Sequence, residues 1–163
     1  MTNKLFDVHF TAEGSCVGKL RNEINLTAHE PFQVERMLAT DEGKFQGGDD
    51  TAPTPIEFFL TGLVGCLMTQ IRAFAKRLKV DISDVNVSCN AKWEAVSDPV
   101  GPYQTRPVGF DIEVDVISNE APEKIAELVS AARRGCFLEQ TLSQPNKIDH
   151  ALKINGQVQS NKS

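Results

Sequence analysis

The segment from Pro55 to Leu78 constrains the fold more than any other, because it predicts one long helix that is apolar around most of its circumference. Thr54 lies where an N-cap is expected, Pro55 at the first helical position and Glu57 in the first turn. Such a helix is about 36 Å long at roughly 1.5 Å per residue. Its apolar positions recur at helical spacing: Ile56, Phe59, Leu60, Leu63, Val64, Leu67, Ile71, Phe74, Ala75 and Leu78. We therefore expect this helix to be covered on most sides.

Alternation of apolar and polar residues predicts β-strands before and after this helix. The predicted strands are Phe6 to Phe10, Asn22 to Leu26, Phe32 to Met37, Val85 to Glu94, Phe110 to Val116 and Ala151 to Val158. Segments rich in glycine and proline predict loops at Gly43 to Pro55 and Asp98 to Pro107. Strands that are adjacent in sequence favour antiparallel pairing, and hence the α+β class.

Two shorter helices are predicted towards the C-terminus. Asn119 is placed as the cap of the first, Pro122 lies in its first turn and Gly135 ends it. Cys136 opens the second, which Pro145 terminates. The length of 163 residues fits a single domain, 1–163. Its predicted parts are N-terminal strands and a loop (1–54), the long central helix (55–78), a strand pair (85–117), two helices (121–144) and a final strand (149–158).

The acidic composition and the absence of paired metal ligands argue against several classes of function. A net charge of −5 and a pI near 5.2 argue against nucleic acid as a partner, which needs a concentrated basic face. No segment reaches the roughly 20 apolar residues of a membrane span, and Met1 to Asp7 carries no signal-peptide pattern, so we expect a cytoplasmic protein with no membrane partner. The four cysteines and three histidines lack the short spacing of zinc ligands, and we expect neither a metal nor a cofactor.

Two of the four cysteines occupy positions that favour a reactive thiol. Cys66 lies within the long helix on a face of small or mildly polar residues, which leaves room beside the thiol. The alternative is an inert, buried cysteine. Cys136 lies at a helix start, where backbone N–H groups and the adjacent Arg133 and Arg134 are expected to lower the pKa of a thiol. The alternative there is a capping or packing role.

Glu57 is a candidate carboxylate for the same chemistry. Negative charge in the first turn of a helix is favourable by itself, so a purely structural role is a strong alternative. The spacing from Cys66 places Glu57 about half a turn out of phase on a straight helix. Glu57 therefore reaches Cys66 only if the helix start is irregular or if the carboxylate comes from a partner subunit. Of the other cysteines, Cys89 is predicted to pack in the core, and Cys16 gives no firm signal.

Two segments together resemble the signature of the OsmC/Ohr family. The segment GGDDTAPTPIEFFLTGLVGC, Gly47 to Cys66, is similar to the family's Gly/Asp-rich loop, Pro-x-Glu and apolar helix that ends the motif in Gly-Cys. The segment RRGCFLEQTL, Arg133 to Leu142, is similar to the second motif, a cysteine that opens a short helix. The interval between the two cysteines and the order of elements agree with the family over nearly the whole chain.

The resemblance implies an OsmC/Ohr-like α+β fold, with antiparallel sheets around long central helices in an intertwined homodimer and active sites at the dimer interface. It implies Cys66 as the peroxidatic cysteine, Cys136 as the resolving cysteine and Glu57 as the supporting carboxylate. The implied activity is a thiol-dependent peroxidase that reduces organic hydroperoxides through a Cys66 sulfenic acid, which Cys136 resolves as a disulfide. The implied reductant is an external dithiol, which is often of the lipoyl type in the family.

The sequence departs from the family in two places. Peroxidase members carry a thiolate-stabilising arginine in the N-terminal strand region, where this chain has Ser15 or Cys16. The candidate replacements lie in no matching motif: Arg21, Arg36 and Arg106. After Cys136, Phe137-Leu138-Glu139 replaces the more usual Pro-Val-Ser type, which resembles the less characterised OsmC-like branch. Two alternatives stay open: a non-catalytic protein that binds a small ligand or senses oxidation, and a scaffold with incidental cysteines.

Overall fold

The computed structural model describes residues 3–159, in which ten helices and strands follow one another along the chain. The strands are β1 His9–Cys16, β2 Asn22–Glu30, β3 Val34–Thr40, β4 Asp84–Val96, β5 Gln104–Ile117, β6 Leu152–Ile154 and β7 Gln157–Gln159. The helices are α1 Pro55–Leu78, α2 Pro122–Gly135 and α3 Phe137–Ser143. All strand pairs within this range are antiparallel, which confirms the α+β class.

The chain divides into two compact units, one up to Gly62 and one from Leu63 onwards, and the single domain stays a prediction. In the first unit, β1, β2 and β3 form one sheet in that order. The predicted half-buried strand Phe6 to Phe10 is wrong: the strand begins at His9, and every residue of β1 is exposed. The pairing explains this limit, because β2 ends at Glu30, opposite His9, and offers no strand beyond it.

The predicted loop before the long helix is confirmed, and hydrogen bonds hold it in one conformation. The carboxylate of Asp41, which is 1% exposed, accepts hydrogen bonds from the backbone N–H groups of Glu42 and Thr51 and from the Thr51 hydroxyl. These bonds, the Thr51 hydroxyl first, lower the pKa of Asp41. Arg21 donates to the Thr51 hydroxyl at 2.8 Å and to the Thr51 carbonyl at 3.1 Å. The loop that carries the first motif is therefore fixed by side chains within its own unit.

Helix α1 has the predicted bounds, and only one stripe of it is buried within this chain. The buried residues are spaced at intervals of four: Leu63, Leu67, Ile71 and Ala75. Ile56 and Leu78 are each 53% exposed, so the expected cover on most sides is not provided by this chain alone. Among the described residues, α1 is the one helix with the length and composition to cross a membrane, contrary to the sequence-based expectation of no such segment. A single such helix is weak evidence of insertion, because core helices of soluble proteins share these properties.

In the second unit, β4 and β5 form a long hairpin whose apolar side chains alternate as predicted. Val87, opposite Val114, and Cys89, opposite Ile112, are half-buried, whereas their polar neighbours are exposed. A bulge between Lys92 and Trp93 shifts the register near the far end. The predicted loop Asp98 to Pro107 is too long, because β5 already begins at Gln104 and pairs with Val96 beyond the bulge.

The core of the second unit joins α1, α2 and the hairpin. Its buried members are Leu67, Ile71, Ala75, Val80, Val85, Leu128, Ala132 and Cys136. Gly135 ends α2 as predicted, and it lies where α2 closely approaches α1: a Cβ at this position would lie 2.6 Å from Cζ of Phe74. Real Cβ atoms essentially never come so close to another heavy atom, so α2 approaches α1 here because residue 135 has no side chain.

Two sequence-based predictions in this unit are wrong. Asn119 does not cap α2, whose N-cap is Ala121 with Pro122 at the first helical position. Instead, the neighbouring Ser118 and Glu120 bind the turn at Asp81, which fixes this part of the chain before the helix starts. The final segment is a hairpin, β6–β7, rather than one strand. Asn155 and Gly156 both have positive φ between its strands, the conformation that an Asn-Gly turn of type I′ requires.

Candidate active site

Cys136 lies at the junction of α2 and α3 and is fully buried. It is the N-cap of α3, and its Sγ accepts a hydrogen bond from the Glu139 backbone N–H at 3.5 Å. Burial raises the pKa of the Cys136 thiol to about 11, although the N–H groups of Glu139 and Leu138 act in the opposite direction. The expected lowering of this pKa is therefore wrong, because desolvation of a thiolate outweighs the backbone N–H groups of the helix start.

Cys66 lies on α1, is half-buried and packs against the core cluster that contains Cys136. After burial, the neighbouring Cys66 thiol is a further cause that raises the pKa of Cys136. Both are free thiols in this structure. The structure thus brings together the two cysteines that the motifs single out, one on the long helix and one between the later helices.

Glu57 serves as a capping residue. Its carboxylate accepts hydrogen bonds from the Thr54 backbone N–H at 2.6 Å and the Thr54 hydroxyl at 2.8 Å, and the Glu57 N–H donates back to the Thr54 hydroxyl oxygen at 3.3 Å. This reciprocal arrangement is a capping box. The bonds from Thr54, the backbone N–H first, lower the pKa of Glu57. The capping role is shown, and the role of Glu57 towards Cys66 stays a prediction.

Two of the three arginines considered as replacements for the family's arginine, Arg21 and Arg106, have other partners. Arg21 binds Thr51, and Arg106 forms an ion pair with Glu94 at 2.7 Å. Arg133, three residues before Cys136, pairs instead with Glu139: its Nε lies 2.7 Å from Oε1 of Glu139. The sequence predicts Arg133 only as a charge that lowers the pKa of Cys136, and Glu139 appears there only as a departure from the family motif. The sequence carries no local signal for this pair, because a separation of six residues is not one of the helical contact spacings of three and four.

A groove of about 720 Å³ lies beside this ion pair in the second unit. The apolar side chains of Leu67, Phe110, Ile112 and others form much of its wall, and Arg133 and Glu139 contribute charge. Neither Cys66 nor Cys136 lines the groove. Such a groove has the volume of a small-molecule site.

The other two cysteines, Cys89 and Cys16, have different surroundings from this pair. Cys89 is half-buried on the inner face of β4, and burial, followed by the charge of Asp111, raises its pKa. Cys16 is exposed at the end of β1. Within residues 3–159, no three His, Cys, Asp or Glu side chains lie close enough together to hold a metal ion.

The fold and the thiol pair define an α+β protein in which a cysteine on a long helix contacts a second cysteine at the start of a later helix. Comparison with protein families gives the particular family. The family model described as OsmC-like protein matches residues 47–151, which include both cysteines. The chain belongs to the OsmC-like protein family.

Solved structures agree with this assignment. An OsmC-like hydroperoxide resistance protein from Jannaschia sp. CCS1 is 44% identical, with a TM-score of 0.62, and the alignment covers 93% of this chain and 96% of that chain. An organic hydroperoxide resistance protein OsmC from Legionella pneumophila is 17% identical, with coverages of 86% and 91% and a TM-score of 0.55. A third, from Elizabethkingia anophelis, is 14% identical, with coverages of 86% and 90% and a TM-score of 0.55. The last two show the fold alone. A search of curated proteins found no match.

Proposed function

We propose that this protein is a thiol-dependent peroxidase that reduces organic hydroperoxides. The observation that carries the proposal is the packing of Cys66 against the buried cluster that contains Cys136, where the Cys66 thiol helps to raise the pKa of Cys136. Two adjacent thiols allow one to be oxidised by a peroxide and the other to trap the product as a disulfide. The 44% identical structure, an OsmC-like hydroperoxide resistance protein, supports the same class of substrate.

The different surroundings of the two thiols support their division of labour. Cys66 is half-buried and Cys136 is buried, so Cys66 is the more exposed of the two cysteines. Cys136 is fully buried, and a pKa of about 11 keeps its thiol protonated near neutral pH. Because the thiolate is the nucleophile, Cys66 is proposed to attack the peroxide and Cys136 to act afterwards.

The proposed reaction has two steps within the protein. The Cys66 thiolate attacks the terminal peroxide oxygen; a sulfur–oxygen bond forms, the O–O bond breaks, and the alkoxide takes up a proton to leave as an alcohol. Cys136 then attacks the sulfenic acid; a disulfide forms and water leaves. An external dithiol reduces the disulfide by exchange, and the lipoyl type is one candidate. We further propose that the carboxylate of Glu57, kept ionised by its bonds to Thr54, supports the Cys66 thiolate environment.

Assembly and location are part of the same proposal. The apolar residues of α1 that this chain leaves exposed, among them Ile56 and Leu78, favour a homodimer in which a second copy covers them. We place the protein in the cytoplasm, where thiols are kept reduced between cycles. The groove beside Arg133 favours a second candidate function, a non-catalytic protein that binds a small apolar ligand or senses oxidation.

The test is peroxide consumption by the Cys66→Ser variant with a dithiol reductant in excess. We expect complete loss of consumption, because the oxygen of serine cannot replace the sulfur nucleophile. Cys89→Ser is the matched control, since it removes another half-buried thiol of the same unit. Activity retained by Cys66→Ser, or equal loss in both variants, contradicts the role given to Cys66. An inactive wild-type protein with a ligand in the groove supports the second candidate.

A further inference from the structure

Residues on both sides of Cys136 in the sequence contact one another and Cys136 itself. Arg133, three residues before it, and Glu139, three residues after it, are joined through their side chains by the 2.7 Å ion pair. The Arg133 carbonyl accepts hydrogen bonds from the Cys136 N–H at 3.3 Å and from Nε2 of Gln140 at 3.1 Å. The Glu139 N–H donates to Sγ of Cys136 at 3.5 Å. One residue, Glu139, therefore contacts both the arginine and the thiol sulfur.

The surroundings of the Glu139 carboxylate do not suit a role in stability alone. Its side chain is only 14% exposed, whereas that of Arg133 is 62% exposed. Its second oxygen, Oε2, is buried and has no hydrogen-bond partner among residues 3–159. Burying an unpaired polar atom costs free energy, and an ion pair with an exposed partner returns little of it. A charged residue held at such a cost is more consistent with a requirement for geometry.

We propose that the Arg133–Glu139 ion pair holds the Cys136 thiol in position to attack the oxidised Cys66, so that both are positioning residues of the resolving step. This inference rests on the proposed peroxidase function. In that step the Cys136 sulfur attacks the Cys66 sulfur, the S–S bond forms, the S–O bond breaks, and the hydroxyl leaves as water with the proton of the Cys136 thiol. The preceding peroxide supplies the oxidising equivalents. The peroxide step itself does not need the ion pair.

The experiment measures the two steps separately in the full-length protein after one equivalent of an organic hydroperoxide. Rapid quenching with a sulfenic-acid trap gives the rate of Cys66 oxidation, and alkylation with peptide mass spectrometry gives the rate of disulfide formation. We expect Glu139→Gln to leave the first rate close to wild type and to slow the second by about tenfold to a hundredfold, the cost of a misplaced reacting group. The double variant Arg133→Gln/Glu139→Gln is expected to be no slower than the slower single variant, because both changes break one interaction.

The control variant is Glu94→Gln, which breaks an ion pair of the same length with Arg106 on the β4–β5 hairpin. It is expected to change neither rate. If Glu139→Gln does not fold, Arg133→Gln carries the test, since its side chain is mostly exposed. Normal oxidation of Cys66 with an unchanged rate of disulfide formation overturns this inference alone. Equal slowing of both steps also overturns it, because it indicates general loss of structure. Failure of the wild-type Cys66 to form a sulfenic acid overturns the proposed function and this inference with it.

Discussion

Glu57 and Glu139 both lie in the first turn of a helix, yet their carboxylates have different surroundings. At Glu57, Oε2 accepts hydrogen bonds from the backbone N–H and the hydroxyl of Thr54, as in helix capping. Glu139 pairs one oxygen with Arg133 and leaves the other buried without a partner among residues 3–159. The carboxylate that the family resemblance singles out is thus accounted for by helix capping, while one that it does not single out lies beside Cys136.

Replacing the carboxylate of Glu57 tests whether this residue does more than cap the helix. We expect Glu57→Gln to slow oxidation of Cys66 by about a hundredfold, the lower end of acid–base assistance, because an amide cannot accept a proton as a carboxylate can. Glutamine also serves at this position of a capping box, so the helix start is expected to survive the change. The measurement is the rate of sulfenic-acid trapping at Cys66.

Thr54→Ala is the matched control for Glu57→Gln. It removes the capping hydroxyl and keeps the carboxylate, so we expect Cys66 to be oxidised at a rate close to wild type. Similar rates in wild type and both variants would reduce Glu57 to its capping role. A rate lowered equally by both variants would mean that the helix start, rather than the charge, is what matters.

The turn beside Cys136 is closely packed, so that even one added methyl group is expected to destabilise the protein. Gly135→Ala is expected to lower the free energy of unfolding by about 1–3 kcal/mol, because the added Cβ would lie 2.6 Å from the Phe74 ring. The measurement is chemical denaturation. Gly109→Ala is the control, since a Cβ there meets nothing within 4 Å. Equal stability of the two variants would show that α2 can move away from α1 at little cost.

Local signals account for what the sequence could predict. The apolar period and the Thr54–Glu57 capping pattern gave the bounds of α1, and the alternation around Val87 and Val114 gave the hairpin. Both depend on residues close in sequence. The β6–β7 hairpin is also predictable from local sequence, because Asn155-Gly156 is a strong hairpin signal.

The features that could not be predicted depend on contacts between distant residues. The pKa of Cys136 follows from its burial in a core of three elements, whereas local reasoning about a helix start gives the opposite sign. The ion pair of Glu139 with Arg133 joins two different helices, so it depends on the turn between them. The periodicity of a single helix does not predict it. The motif cysteines were located by family resemblance, and their contact is visible only in the structure.

The capping box of Thr54 and Glu57 is expected to make a small contribution to stability. Thr54→Ala should lower the free energy of unfolding at pH 7 by about 1 kcal/mol, the usual cost of a lost cap, whereas Thr61→Ala on the exposed face of α1 should not destabilise. The pKa of Glu57 is lowered on folding from its ordinary value of 4.5, so its contribution to stability is present above that pH and is lost as the pH falls through the folded pKa. Because Thr54 causes this lowering, the variant should lose less stability than wild type on acidification from pH 5 to pH 3. Denaturant titrations at several pH values measure both. Parallel acid profiles for the two proteins would mean that the backbone N–H of Thr54, which alanine retains, accounts for the pKa of Glu57 alone.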